Sequence, residues 1–184
     1  MDRKVVSVVG MAGAGKSEVA RVFEEAGFSR VRFGDITDRE LEKKGLALSE
    51  ENERWVRELL REEHGMAAYA KLSLPGIDSA LKGGDVVIDG LYSWEEYLLL
   101  KDYYGDGLYV VAVYASPRTR RARLSRRPER SLKPEEAASR DRAEIEKTNK
   151  GGPIAVADFT IINESSVENL RNEVNKVISK LKRS

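Results

Sequence analysis

Short apolar runs alternate with longer stretches of mixed character along the whole chain. The first run, KVVSVV (4–9), is nearly all β-branched, as a strand buried on both faces requires. RVRF (30–33) is weaker and alternates, while DVVID (85–89), LYVVAVY (108–114) and FTII (159–162) complete five strands. Between them the apolar residues recur at three- and four-residue intervals, the period of a helix with one packed face. This alternation predicts an α/β fold, a five-stranded parallel sheet with helices on both faces.

The helix starts carry their own signals. Ser93-Trp94-Glu95-Glu96 reads as a capping box, and Ser116 followed by Pro117 places a cap and then a proline at the first helical position. Ser165 to Glu168 reads as a second box, followed by Val167, Leu170, Val174, Val177 and Leu181 along one packing face. Lys180, Lys182 and Arg183 suit the negative end of that last helix.

Two stretches exceed what a crossover needs. Residues 36–84 hold two helical patterns, and residues 117–152 hold many arginines. Ligands of open α/β sheets sit beyond the carboxyl ends of the strands, so both insertions are read as substrate-covering lobes of one domain spanning 1–184.

At 184 residues the chain suits a single core, and no apolar run approaches the length of a membrane span. No signal peptide is evident and cysteine is absent, so a cytoplasmic protein without disulfides or thiolate metal sites is expected. Charged residues make up 34% of the chain yet the net charge is only +1, which does not suggest nucleic acid as a partner.

Residues 10–17 read GMAGAGKS, matching G-x-x-x-x-G-K-[ST] between a buried-type strand and an amphipathic helix. Gly10, Met11, Ala12, Gly13, Ala14 and Gly15 then turn backbone N–H groups toward phosphate oxygens. Lys16 reaches the β- and γ-phosphates, Ser17 binds Mg²⁺, and the helix dipole beginning at Ser17 and Glu18 adds positive potential. Asp89 ends an apolar strand, where an acid assists Mg²⁺; Asp89-Gly90 is also an ordinary turn signal, and the phosphate loop tips the balance toward the metal role. The expected ligands are a nucleoside triphosphate, ATP, and Mg²⁺.

Taken together, GMAGAGKS, Gly34-Asp35, VVIDG, ASPRTRRARLSRR and ADFTIIN resemble, in this order, the nucleotide-kinase branch of P-loop proteins. The resemblance is to dephospho-CoA kinases and to adenylate-kinase-like proteins of archaea and bacteria. It implies ATP-dependent transfer of a phosphoryl group to a small nucleotide-type acceptor, an acceptor-binding lobe at about 36–84 and a lid at about 117–152. By position, Asp35 resembles the catalytic acid at the acceptor site, where Arg39, Arg61 and Asp89 are also placed. Arg123, Arg127 and Arg140 resemble lid arginines, the first two on the nucleotide and the third toward the acceptor. The segment at Gly152-Pro153 with Ala157-Asp158 is similar to the border of the adenine. Two departures leave the acceptor open: Tyr92 and Asp38 stand where adenylate kinases carry arginines, with Arg39 one step beyond the second.

Other residues read as structural. Two or three arginines of the run from Arg118 to Arg130 suffice for a phosphate, and Arg123 and Arg127 share a face if their helix extends that far. Glu129, Glu135 and Glu136 interrupt the run, against a nucleic-acid surface. His64 reads as a helix-end residue, Trp55 and Trp94 as packing, Arg54 with Glu58 as a surface pair, and Asp35 alternatively as a helix cap. A regulatory P-loop switch is the competing class. Its guanine-selecting Asn-Lys-x-Asp pattern fails at Gly152, after Asn149-Lys150-Gly151, so ATP is the better match.

Overall fold

The computed structural model describes residues 3–128 and 130–183. The strands β1 (Val5–Val9), β2 (Ser29–Arg32), β3 (Val86–Leu91), β4 (Leu108–Tyr114) and β5 (Phe159–Ile162) pair in the order β2-β3-β1-β4-β5, every pair parallel. Each strand falls within two residues of its apolar run. The connecting helices are α1 (Lys16–Glu25), α2 (Gly34–Lys43), α3 (Glu50–His64), α4 (Ala68–Leu81), α5 (Trp94–Tyr104), α6 (Pro117–Ser125), α7 (Pro134–Glu146), α8 (Gly151–Ala155) and α9 (Val167–Leu181).

Period-two alternation explains why the central strands are apolar throughout. Val5 and Val9 of β1 join Phe33, Tyr69, Ile77, Ile88 and Leu100 in a core under α4 and α5. Val6 and Val8 face the other way, joining Phe23, Val111, Val174, Ile178 and Leu181 under α1 and α9. The carboxyl end of β1 lies where the chain departs to β2 on one side and returns as β4 on the other, the place such sheets keep for ligands.

One irregularity shapes that end. Val8 is opposite Asp89 but Val9 is opposite Leu91, so Gly90 is an extra residue in β3. Its φ of +108° favours glycine, and a Cβ there would sit 2.8 Å from the Tyr92 ring. The bulge turns the strand end just after Asp89.

Several details differ from the sequence expectations. Residues 36–84 carry three helices, most of α2 with α3 and α4, because Gly45 and Gly65 break the pattern at left-handed φ. The last helix is capped by Ser166, which accepts from Asn169 N–H, so Ser165 lies outside it and Val167 is exposed, with Ile178 taking a core place instead. The box at Ser93 closes one residue earlier than drawn: Ser93 accepts from Glu96 N–H at 3.1 Å, while the Glu96 carboxylate accepts from Tyr92 N–H at 2.7 Å. The helix after β4 ends at Ser125, so Arg127 is beyond it and shares no helix face with Arg123. Arg54 and Glu58 reach across to Ser139 and Lys147 rather than to each other. Trp94 packs as expected, stacked on Tyr97, but Trp55 is half exposed under Lys44. His64 is the last residue of α3, and Glu129 lies outside the described residues.

Glu96 is fully buried, and burial, against the opposing Arg61 charge and the Tyr92 N–H, lifts its pKa to about 7. Its folded-state pKa exceeds the unfolded value. The stability it contributes is therefore complete below about pH 4.5 and lost as pH rises through about 7. Glu96→Gln keeps an acceptor for Tyr92 and removes the charge. Its unfolding free energy at pH 8 should exceed that of the unaltered protein by about 3 kcal/mol, raising the thermal midpoint, with little difference at pH 4. Equal midpoints at pH 8 would mean that Arg61 and Lys150 fully compensate the buried carboxylate.

Candidate active site

The phosphate loop occupies the turn from β1 into α1. Gly13 has φ +81° and lies so close to α6 that a Cβ would come within 2.7 Å of the Arg120 carbonyl. Gly15, at φ 103°, starts α1 without any side-chain cap, leaving first-turn N–H groups for an anion. Lys16 folds back over the loop, its Nζ donating to the carbonyls of Gly10 at 2.8 Å and Met11 at 3.2 Å. Burial, then the neighbouring Lys150 charge, lowers its pKa to about 7 against the pull of Glu144.

Ser17 and Asp89 meet at the carboxyl ends of β1 and β3, with the serine Oγ 3.5 Å from Asp89 Oδ1. The other carboxylate oxygen accepts from Arg30 Nη2 at 2.5 Å, so an almost fully buried acid is held in place and aimed. Glu18, the next residue of α1, instead pairs with Arg21 and Arg171 on the outer surface.

Beyond the loop lies a cavity of about 460 Å³ between the loop, α2, α3 and α7. Lys16, Ser17 and Asp89 line it, together with Arg57 and Arg61 of α3. Ion pairs stitch its roof. Arg140 of α7 reaches Glu50 of α3 at 2.6 Å, Lys147 reaches Glu58 at 3.0 Å, and Arg130 binds Asp38 at 2.7 Å and Glu53 at 2.9 Å. Among the described residues, the cavity-lining arginines Arg54, Arg61 and Arg127 have no carboxylate within ion-pair distance, although the Arg61 charge acts on the buried Glu96. The buried Arg61 Nε has no acceptor, its guanidinium lying 5.6 Å from the Tyr69 ring. Burial and then the Arg140 and Arg130 charges lower the Arg127 pKa.

The structure brings Lys16, Ser17, Asp89, Arg61, Arg127 and Arg140 together around this space and leaves Asp35, Arg39 and Arg123, like Glu18, off its lining. Asp35, in the first turn of α2, is half exposed and salt-bridged to Arg32 at 2.7 Å; the carboxylate that lines the cavity is Asp38, one helical turn later. Arg39 is exposed and donates to the Asp35 carbonyl. Arg123 turns toward β5 and donates to the Asn163 carbonyl at 3.0 Å. Asp158 accepts from Val110 N–H near the amino end of the sheet, far from the loop. The member of ADFTIIN that touches the loop is Asn163, whose Nδ2 donates to Ala14 O at 2.8 Å.

Three contributors escaped sequence reasoning. Arg120 is buried and joins three parts, with Nη1 and Nη2 on Asp141 of α7 at 2.7 and 2.9 Å and Nη1 also on Ala12 O at 3.0 Å. Lys150 is only 2% exposed, 3.0 Å from Glu144 and 5.3 Å from the Tyr92 ring centroid. Glu144 itself accepts from Ala12 N–H of the phosphate loop at 3.3 Å. The spacing of Arg140 and Glu144, four apart on one helix face, was a readable signal. Nothing local marks the other two.

Comparison with known proteins agrees with this geometry. A family model described as an AAA domain matches residues 6–147. A UPF0200 protein of Thermococcus kodakarensis is 37% identical over 181 residues, covering 96% of this chain and 97% of that protein. One from Pyrococcus horikoshii is 32% identical, covering 96% and 97%. Among solved structures, a gluconokinase from Sinorhizobium meliloti aligns with a TM-score of 0.62 at 16% identity, over 98% of this chain and 95% of that one. Shikimate kinase from Acinetobacter baumannii, in complex with shikimate, gives 0.62 at 19%, over 98% and 94%. Dephospho-CoA kinase from Campylobacter jejuni gives 0.55 at 17%, over 97% of each chain. The architecture is that of the P-loop kinases. Among the described residues no helix is long and apolar enough to cross a membrane.

Proposed function

We propose that this chain, which belongs to the AAA domain family and to the UPF0200 proteins, uses ATP with Mg²⁺ to phosphorylate a small nucleotide-type acceptor, nucleoside monophosphate-like or dephospho-CoA-like. One observation carries the reading. A single cavity is lined by both the phosphate-loop lysine and Arg61, whose Nε has no acceptor, leaving room for a second, anionic molecule beside the triphosphate. A switch that only hydrolyses nucleotide needs no such second cationic place.

The residues present fit the metal. Ser17 and Asp89 offer two hard oxygens side by side, and Mg²⁺ in such sites takes its remaining ligands from phosphate and water. Mg²⁺ there would neutralise charge on the phosphates. Arg30 orients Asp89, Lys16 and Arg140 face the terminal phosphate, Arg127 approaches from the lid side, and Arg61 holds the acceptor's anionic group. Lys150 of the Asn149-Lys150 pair points into the phosphate cavity, which supports adenine over guanine selection by that motif.

The test is ADP release measured with and without a panel of nucleoside monophosphates and dephospho-CoA. Release that one acceptor accelerates by orders of magnitude supports the kinase; release indifferent to every acceptor supports the regulatory switch. The same assay separates the two acids of α2. Asp38→Asn should cost about 10²-fold in turnover if a hydroxyl is phosphorylated, and mainly raise the acceptor KM if a phosphate is. Asp35→Asn, on the outer face, should stay within about threefold, as surface substitutions do. A reversed order would return the acceptor role to Asp35.

A further inference from the structure

The phosphate loop already holds an anion, and the anion belongs to the protein. Glu144 Oε2 accepts from Ala12 N–H, a donor the loop otherwise directs at phosphate. Its Oε1 lies 3.0 Å from Lys150 Nζ and 3.4 Å from Arg140 Nε. A carboxylate bound to a loop amide, a lysine and an arginine at once has the partners of a phosphate's outer oxygens. It comes from α7 and lines the cavity into which the phosphate loop opens.

We propose that the Glu144 carboxylate occupies the seat of the terminal phosphate of ATP, and that Lys150 is a ligand of that phosphate once Glu144 swings away. The inference rests on the kinase reading for the identity of the nucleotide. It adds a second lysine, opposite Lys16, and an internal occupant that the nucleotide displaces.

Three further features agree. Lys150 is rigidly placed: its N–H donates to Glu144 O at 3.1 Å, and the preceding Thr148 carbonyl accepts from Trp94 N–H at 3.2 Å. An ammonium this buried costs free energy unless an anion always accompanies it, first Glu144 and then phosphate. Burial alone would raise the Glu144 pKa, yet Lys150, Arg140 and Lys16 outweigh it and bring it down to about 2, so the occupant is an anion at neutral pH. The exchange needs only a side-chain rotation, since α7 is fixed to the loop through Arg120 and Asp141.

The experiment compares ATP and ADP dissociation constants by calorimetry with Mg²⁺ and no acceptor. Displacement of one charge-assisted contact predicts that Glu144→Gln tightens ATP about tenfold while ADP changes less than about twofold. Lys150→Met should weaken ATP at least about tenfold and spare ADP. Glu146→Gln, which removes the same charge from the exposed side of α7, should alter neither. Should Lys150→Met alone not fold, Lys150→Met with Glu144→Gln removes both charges together, and its ATP affinity relative to ADP should fall below that of Glu144→Gln. ATP and ADP affinities that move in parallel, or ATP affinity indifferent to Lys150, would overturn the seat. These ratios need no acceptor, so acceptor-independent ADP release would end the kinase reading and leave them standing. ATP that does not bind the unaltered protein would end both.

Discussion

Lys16→Ala should abolish phosphoryl transfer, by at least about 10³-fold in turnover, while leaving the protein folded. On the proposed reading the lysine is the loop's cation for charge spread over the transferred group, and among the described residues no other side chain donates to the Gly10 and Met11 carbonyls that position it. Its contribution to the fold is of the opposite sign. Its pKa falls from the free-lysine range to about 7, so the folded state disfavours its charge; that penalty is absent at high pH and grows as pH falls toward 7. Beside Lys150 and Arg140, the alanine variant should therefore melt at or above the temperature of the unaltered protein at pH 7. Acceptor-dependent ADP release and a thermal melt check both halves. Transfer within tenfold in a folded variant would remove Lys16 from the chemistry.

Arg120→Met should be the most destabilising substitution at the site. Arg120 makes two bonds to Asp141, one to Ala12 O and one to Ala115 O, and its side chain is 7% exposed. Losing one partner of a buried pair leaves the other charge uncompensated, at a cost of about 3–5 kcal/mol. Replacing both, as Arg120→Met with Asp141→Leu, should recover most of that stability. Activity should not return with it. Ala12 would still lose its anchor, and displacements of about 1 Å at a reacting centre cost on the order of 10²-fold. Denaturant melts of the three variants beside their turnover test this, and a single variant as stable as the unaltered protein would refute the clamp.

The strands, the phosphate loop and the order of elements were legible because each rests on a local pattern: β-branched runs, glycines flanking a lysine, a serine before a proline. Asp89 was legible because it ends such a run. What escaped was set by tertiary contact. Arg120 is one of many arginines in its segment, and it is buried where Gly13 approaches α6 and Asp141 of α7 meets its guanidinium. Lys150 drew notice only in the failed Asn-Lys-x-Asp pattern, and its segment is held by the bond from Trp94 N–H at the start of α5 to Thr148. Asp35 was favoured over Asp38 by its place just after a strand. The helix begins at Gly34, and one further turn carries Asp38, not Asp35, to the cavity.

The roof of the cavity is held by charge rather than by apolar contact, through Arg140–Glu50, Arg130–Asp38 and Lys147–Glu58. Temperature acts on such a closure in a particular direction. The hydration of ions weakens on heating, so stripping water from these groups costs less when the protein is hot. Heat therefore tightens the α3–α7 contact even as it loosens the chain elsewhere. The shelter over the phosphates is most secure near the upper end of the protein's thermal range, and in the cold the roof competes with water for its own ions.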